Sequence, residues 1–165
     1  MKLSEEKSRK LYTLVLPVKG GQVLLGYKKR GFGAGKWNGF GGKVEDGESI
    51  EKAAVRELLE ECGLSSRKLV KYAVHEFEFQ GEPVILQAHV FRAEGLVGSP
   101  EESDEMMPAW FDIEDIPYKK MWPDDIHWLP RFLSGETLIG KFLFKKGASG
   151  QERLIDFEVE ASRQF

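Results

Sequence analysis

The order of apolar and polar positions predicts a chain dominated by strands. Residues 11–18 and 22–27 are rich in β-forming residues, and Gly20-Gly21 between them predicts a hairpin turn. Pro17 lies inside the first run, so we expect that position at a sheet edge or a bulge. Further strand patterns occupy residues 70–79, 84–93, 109–113, 137–144 and 153–160. The last two predict a terminal hairpin.

Residues 49–64 have helical spacing instead. Ser49 can cap the start of the helix, and Gly63 provides a left-handed stop. Advancing about 100° per residue places the apolar side chains on one face, which we expect to be buried. These side chains are Ile50, Ala53, Ala54, Val55, Leu58, Leu59 and Cys62. A second helix is predicted over residues 124–133, although Pro130 disturbs it beyond the first turn. The resulting fold class is α+β, a mixed sheet flanked by helices.

Composition predicts one domain over residues 1–165, of the ordinary globular class. The net charge of −3 gives little attraction to polymeric nucleic acid or to an anionic membrane, so we expect neither partner. A single cysteine, Cys62, excludes an intramolecular disulfide, and the start of the sequence has no apolar core typical of a secretory signal. We therefore expect a cytoplasmic protein, with mitochondria and the nucleus as additional candidate locations. We also expect a monomer.

Three carboxylates converge on the first helix. Glu57, Glu60 and Glu61 fall within an arc of about 100° on the same helical projection. A solvated face is the simple interpretation, but it explains Glu61 badly because that residue projects between Ile50 and Ala54. Like charges at this spacing repel, and a partly buried cluster of them needs a neutralising cation. Mg²⁺, which prefers hard oxygen ligands, is the expected cofactor.

A glycine-rich, basic segment lies just before that helix. Six glycines fall between Gly31 and Gly42, and five basic residues with no acidic one fall between Lys28 and Lys43. A turn-rich loop is one interpretation. The other is that backbone N–H groups and lysines bind phosphate oxygens. Neither a Walker A loop nor a G-x-G-x-x-G pattern is present, which excludes both common nucleotide-binding motifs.

Residues 42–64 contain a specific motif. It reads Gly, five residues, Glu, seven residues, Arg-Glu, an aliphatic residue, any residue, Glu-Glu, any residue, Gly, and an aliphatic residue. The positions are occupied in register by Gly42, Glu48, Arg56, Glu57, Leu58, Glu60, Glu61, Gly63 and Leu64. In this motif the chain resembles the Nudix hydrolases.

The resemblance implies the Nudix fold, a mixed sheet sandwiched between helices (α/β/α), and hydrolysis of a nucleoside diphosphate linked to another group. Glu57, Glu60 and Glu61 would bind Mg²⁺, and one of them would also steer or deprotonate the attacking water. Arg56 would pair with Glu48 and fix the loop against the helix. The implied catalytic residues are thus Glu61, Glu57, Glu60 and Arg56.

The resemblance continues outside the motif. Residues 11–16, 24–44, 77–83, 102–106 and 121–125 are similar to the Nudix hydrolases that convert oxidised purine nucleoside triphosphates, such as 8-oxo-dGTP and 2-hydroxy-dATP, to the monophosphate and pyrophosphate. The implied substrate-binding residues are Thr13, Lys28, Phe32, Asn38, Phe40, Gly42, Lys43, Phe77, Trp122, Asp124 and Asp125. The Gly41 carbonyl and Glu105 would complete the metal site. Leu86 and Ala109 depart from the residues of those relatives, which affects the expected preference between the two substrates.

The side-chain chemistry is compatible with a purine. The Asn38 amide offers both a donor and an acceptor, and the Trp122 ring offers a stacking face. One of the adjacent carboxyls Asp124 and Asp125 is expected to hold a proton in a poorly hydrated pocket. Taken singly, the aspartates could instead cap the second helix, and Trp122 could simply pack in the core.

Two other functions remain open from the sequence. One is a Nudix pyrophosphatase acting on ADP-ribose or dinucleoside polyphosphates, and the other is a nucleotide-binding Nudix module without activity. His75, His89 and His127 have no ligand-like spacing, so we expect them to be structural.

Overall fold

The computed structural model describes residues 7–148, 150–163 and 165, and within them eight strands form one mixed sheet. The strands are β1 (Ser8–Lys19), β2 (Gln22–Lys28), β3 (Trp37–Asn38), β4 (Ser65–Phe79), β5 (Val84–Val97), β6 (Met106–Asp112), β7 (Leu138–Lys146) and β8 (Glu152–Ala161). The helices are α1 (Ile50–Cys62) and α2 (Asp125–Leu133), and two short 3-10 turns cover Ile113–Asp115 and Tyr118–Lys120. The strand order is β3-β2-β1-β5-β4-β7-β8. Strand β6 lies outside this order and pairs with β2 in antiparallel fashion.

The predicted hairpin of β1 and β2 is confirmed, with both turn glycines at positive φ. Pro17 lies neither at a sheet edge nor at a bulge, because β1 pairs in parallel with β5 along residues 8–17. On the other side of β1, Val15 bonds to Phe40 and Val18 pairs with Val23. Alternate residues of a strand direct their N–H groups to the same side, so an N–H at position 17 would point to the side on which Val15 donates to Phe40. On that side, position 17 lies between the part of β1 that bonds to the glycine-rich loop and the part that pairs with β2. The missing N–H of proline therefore breaks no ladder bond.

Helix α1 begins and ends as predicted. The Ser49 side chain accepts from the Lys52 N–H, and Gly63 adopts φ 76° while its N–H bonds to Leu59. The predicted buried face was partly wrong, since Val55 and Leu59 are 50% and 55% exposed whereas Glu61 is only 6% exposed. The flank of the predicted face that carries Val55 and Leu59 turns to solvent, whereas Glu61, which the projection placed between Ile50 and Ala54, is buried as its position indicated.

The two helices cover opposite faces of the sheet, which confirms the α/β/α arrangement. Leu16 and Leu25 point into the cluster that contains Phe132 of α2. Val15 and Leu24, their immediate neighbours in sequence, point into the cluster that contains Leu58 of α1. Successive side chains of a strand face opposite sides, so each face has its own core.

The remaining elements agree with the sequence patterns and extend some of them. Strand β4 begins at Ser65 and β5 ends at Val97, so both are longer than predicted. Strands β7 and β8 form the predicted terminal hairpin. Pro130 lies inside α2, which ends three residues later. Neither helix in the described part of the chain is long and apolar enough to span a membrane. The expectation of no secretory signal concerns the start of the sequence, where residues 1–6 lie outside the described residues.

Candidate active site

A cavity of about 440 Å³ opens between the sheet, the glycine-rich loop and the segment that leads into α2. Eleven residues that the sequence predicted for the substrate or metal site line it together. They are Thr13, Lys28, Phe32, Asn38, Gly41, Gly42, Glu61, Phe77, Trp122, Asp124 and Asp125. The first helix and the start of α2 are distant in sequence, and the sheet brings their carboxylates to one cavity.

Several predicted site residues lie elsewhere. The Phe40 side chain is fully buried in the α1 cluster, so it supplies core packing and does not line the cavity. Lys43 is exposed, and its carbonyl accepts from Arg56 at 3.2 Å. Arg56, Glu57, Glu60 and Glu105 also lie outside the cavity lining. Of the two departures noted in the sequence, Leu86 lines the cavity, whereas Ala109 pairs with Leu25 in the sheet.

Aromatic rings form one wall of the cavity. The Phe32 and Trp122 ring centroids are 5.1 Å apart, and Phe79 stacks on Phe144 at 5.2 Å. Lys36 Nζ lies 5.0 Å over the Trp122 ring without lining the cavity itself. Such a wall offers flat apolar surface to a planar ligand, and the lysine above Trp122 favours a fixed orientation of the indole.

The aspartate pair lines the same cavity as these rings. Asp124 and Asp125 are 3% and 4% exposed. Asp124 occupies the N-cap position of α2 but makes no side-chain cap bond, so the capping interpretation is wrong. Its Oδ2 instead accepts from Trp128 Nε1 at 2.8 Å.

Burial raises the pKa of Asp124 to about 6. Burial and the neighbouring Asp124 charge raise the pKa of Asp125 well above its ordinary value. The pair therefore favours a protonated Asp125 beside an ionised Asp124, one donor next to one acceptor.

The glycines of the loop serve close backbone packing. Thr13 N–H donates to the Gly42 carbonyl at 2.9 Å, and a Cβ added at Gly41 would overlap the Thr13 carbonyl oxygen. The N–H of Phe40 donates to Val15, and that of Gly41 to Glu61 Oε1 at 2.7 Å. These two N–H groups are used inside the protein, so the interpretation that they bind phosphate is wrong for them.

Basic residues of this segment are largely paired with the acidic loop that precedes β6. Lys29 pairs with Glu102, and Arg30 and Lys28 lie 2.9 and 3.5 Å from Glu105. These two cations make Glu105 an ion-pair partner, and the side-chain hydrogen bond from Arg30 lowers the pKa of Glu105. Lys28 is the one of these three cations that lines the cavity.

The carboxylates of α1 have different surroundings. Glu61 faces the cavity, and burial raises its pKa to about 7. Glu57 is half-buried, and burial raises its pKa as well, against the opposing effect of Arg56. Glu60 is exposed, with Oε2 at 3.2 Å from Arg56 Nη1. Arg56 also binds Glu48 in bidentate fashion, at 2.7 and 3.0 Å, as the resemblance implied.

This donor set has the chemistry of a divalent-cation site. A Cβ added at Gly42 would lie 2.5 Å from Glu57 Oε1, so the loop passes directly against that carboxylate. Glu57 and Glu61 are hard oxygen donors whose charge is poorly solvated, which a cation would relieve. No three His, Cys, Asp or Glu side chains among residues 7–148, 150–163 and 165 are grouped as ligands around one point. Glu57 and Glu60 are turned toward Arg56 instead.

Sequence reasoning missed several cavity residues. Trp128 lies four residues after Asp124, the spacing of one helical turn. That spacing could have identified Trp128 as a neighbour of Asp124. Phe79 follows Phe77 by two residues on the same strand face, and the register of β4 with β7 brings Phe144 beside Phe79. Ala88 and Met106 also line the cavity, and no sequence pattern pointed to them.

Comparison with known proteins gives the family context. The model of the NUDIX domain matches residues 9–132. The oxidized purine nucleoside triphosphate hydrolase of Danio rerio is 58% identical over 92% of this chain and 94% of its own, and that of Mus musculus is 52% identical over 94% and 97%. The crystal structure of a MutT protein from Bacillus halodurans superposes with a TM-score of 0.76 at 23% identity, covering 92% of this chain and 97% of that one.

Proposed function

The chain belongs to the Nudix family, and we propose that it hydrolyses oxidised purine nucleoside triphosphates such as 8-oxo-dGTP and 2-hydroxy-dATP. The products are the nucleoside monophosphate and pyrophosphate, so the enzyme is a nucleoside triphosphate diphosphatase that removes damaged precursors from the nucleotide pool. The relatives that carry this name cover almost the whole chain. Action as a monomer and a cytoplasmic location stay predictions from the sequence.

The observation that carries the proposal is the buried aspartate pair at the end of an aromatic cavity. A purine needs a flat surface for its ring and donors with acceptors for its edge. Trp122 and Phe32 supply the surface. Asp124 and Asp125 supply the acceptor and the donor, because the pair favours a single shared proton. Asn38 Oδ1 already accepts from the Gly39 N–H at 2.8 Å, so its amide group offers the purine mainly donors.

Glu61 in the cavity and the carboxylates near it provide the reaction chemistry. We assign Glu57, Glu60, Glu61, Glu105 and the Gly41 carbonyl to Mg²⁺. When bound, it supplies positive charge that stabilises the developing charge on the phosphates. Lys28, which lines the cavity beside Glu61, neutralises phosphate oxygens. Glu61 has a pKa near 7 and so can take up a proton from an attacking water near neutral pH.

Arg56 and Glu48 act at a distance from the substrate. Their bidentate pair ties the loop before α1 to the helix, and Arg56 also donates to the Lys43 carbonyl. This keeps Gly41 and Gly42 against Glu61 and Glu57. We therefore assign Arg56 a positioning role, since it holds the loop against the helix and lies outside the cavity lining.

A substrate panel tests the proposal. Loss of substrate and formation of the nucleotide product are measured by chromatography with 8-oxo-dGTP, 2-hydroxy-dATP, dGTP, ADP-ribose and a dinucleoside polyphosphate, each with and without Mg²⁺. Pyrophosphate is an expected product of the three triphosphates alone. We expect the two oxidised purines to have the highest kcat/KM. Preference for ADP-ribose or the dinucleoside polyphosphate would contradict the assigned substrate, and binding without any turnover would favour a module that lacks activity.

A further inference from the structure

His75 is a buried histidine next to the cavity that the proposed function does not use. It lies in β4 with no exposed surface, and neither ring nitrogen meets hydrogen-bond geometry with a partner among the described residues. Buried polar groups are normally satisfied, and an unsatisfied one destabilises the fold relative to an apolar residue of similar size. Position 75 thus departs from the usual rule for a core, and such departures concentrate at functional sites.

The His75 ring is held from two sides. On one side, its centroid lies 4.6 Å from the Trp128 ring at an interplanar angle of 63°, an edge-to-face contact. On the other side is Gly140, its register partner in β7, where an added Cβ would lie 2.5 Å from Nδ1. The imidazole therefore fills the space between the β7 backbone and the indole.

Trp128 connects His75 to the aspartate pair. Trp128 is 1% exposed, contributes to the cavity lining and donates from Nε1 to Asp124 Oδ2 at 2.8 Å. An indole donates along one direction only, so the angle of its ring decides whether that hydrogen bond forms. Two rings pack against the indole, His75 with its centroid at 4.6 Å and Phe132 at 5.6 Å, and the nearer of them is His75.

We propose that His75 is a positioning residue for purine recognition. Its ring holds the Trp128 indole at the angle that directs Nε1 toward Asp124, and it thereby sets which base edges the aspartate pair accepts. The inference about base edges rests on the proposed function, whereas the effect on Asp124 does not.

The ionisation of the pair gives the physical link. Burial lowers the pKa of His75 to about 3, so the ring is neutral and acts through its shape. The bond from Trp128 favours the charged form of Asp124, and its loss would raise the pKa of that carboxyl. The titratable groups beside Asp124 are Asp125 and, next to Asp125, Tyr118. Burial raises the pKa of Tyr118 to about 12, so Tyr118 stays neutral. Two protonated carboxyls would present two donors, which changes the base edge that fits.

Three variants test the role. His75→Leu removes the flat ring, His75→Phe keeps one, and Leu138→Val is a control in the same buried cluster. We expect His75→Leu to fold with an unchanged or higher Tm and to change the kcat/KM ratio of 8-oxo-dGTP to 2-hydroxy-dATP by about fivefold. His75→Phe should keep the ratio of the wild type, and Leu138→Val should lower Tm without changing the ratio.

A second measurement does not depend on the substrate. The indole Nε1–H resonance of Trp128 in the free protein reports the hydrogen bond to Asp124, and its pH midpoint should rise in His75→Leu. An unmoved resonance and midpoint in that variant would overturn the positioning role, even if His75→Phe fails to fold. Absence of hydrolysis of either oxidised purine by the wild type would overturn the proposed function instead, and the resonance would still decide the role of His75.

Discussion

Glu61 is a carboxylate on a helix face that would ordinarily carry an apolar side chain. It is buried, accepts from the Gly41 N–H and has a pKa raised to about 7. We expect Glu61→Gln to lower kcat by about 10²–10⁴-fold, the usual contribution of a positioned acid or base. The amide oxygen can still accept from Gly41, so the variant should stay folded. Turnover by pyrophosphate release, with Glu51→Gln in the exposed first turn as the control, checks this. Near-wild-type turnover would remove the catalytic assignment.

Asp124 is expected to determine discrimination among purines. Asp124→Asn keeps an acceptor for the Trp128 Nε1–H but removes the charge that Asp125 balances. A buried polar group left without its partner costs about 1–3 kcal/mol, so we expect the relative kcat/KM across 8-oxo-dGTP, 2-hydroxy-dATP and dGTP to change by about 10-fold or more. Unchanged relative efficiencies across the three substrates would reject this role.

At the scale of elements, the glycine loop depends on its close approach to β1. A Cβ at Gly41 would overlap the Thr13 carbonyl, so Gly41→Ala has to separate the loop from the strand. We expect a loss of about 1–3 kcal/mol in the free energy of unfolding, the usual cost of overpacking, and a large loss of turnover. Gly47→Ala is the matched contrast, because open space surrounds Gly47 and only its φ of 79° disfavours a side chain.

Urea unfolding compares the two variants. A left-handed conformation costs about 1–2 kcal/mol for a residue with a Cβ, so Gly47→Ala should be destabilised by no more than that and should stay active. Equal stability and equal turnover for Gly41→Ala and the wild type would show that the loop does not need its contact with β1.

Elements with strong local signals could be predicted, and those set by tertiary packing could not. Ser49 and Gly63 mark both ends of α1 because capping is a local interaction. Helical spacing placed Glu61 on the buried side of α1, but it did not show that Val55 and Leu59 are exposed or that the Gly41 N–H, twenty positions away, donates to Glu61. Likewise, a dipeptide of two aspartates suggests a helix cap, and only the fold shows that Trp128 takes Asp124 as its acceptor.

For the candidate site, too, the sequence identified residues but did not show their contacts. Motif spacing selected Glu57, Glu60 and Glu61, but it did not show that Arg56 pairs with two of them. The same limit applies to Phe40, which the sequence placed at the substrate and the fold buries in the core. Residues at fixed spacings along the chain could be identified from the sequence. The ion pairs and the burial of those residues depend on distant parts of the fold, so they required the structure.

Across the whole molecule, buried carboxyls make stability depend on pH in a definite direction. Burial raises the pKa of four carboxyls, Glu57, Glu61, Asp124 and Asp125. The folded protein therefore binds more protons at these groups than the unfolded chain does. Its free energy of unfolding decreases as pH rises from about 4 to about 7 and beyond. Hydrogen bonds from arginines lower the pKa of Glu48, Glu105 and Glu136, whose stabilisation is lost as pH falls below about 4.5.

We therefore expect maximum stability near pH 5, measured as the urea midpoint in EDTA. Asp125→Asn and Glu61→Gln each remove one buried group, so each should flatten the decline between about pH 5 and about pH 8. If Mg²⁺ binds the ionised carboxylates of α1, adding it should raise the midpoint more at pH 8 than at pH 5, and Glu61→Gln should reduce that gain. A midpoint that rises steadily to pH 8 in EDTA would contradict the assignment of buried, poorly solvated carboxylates at the centre of this site.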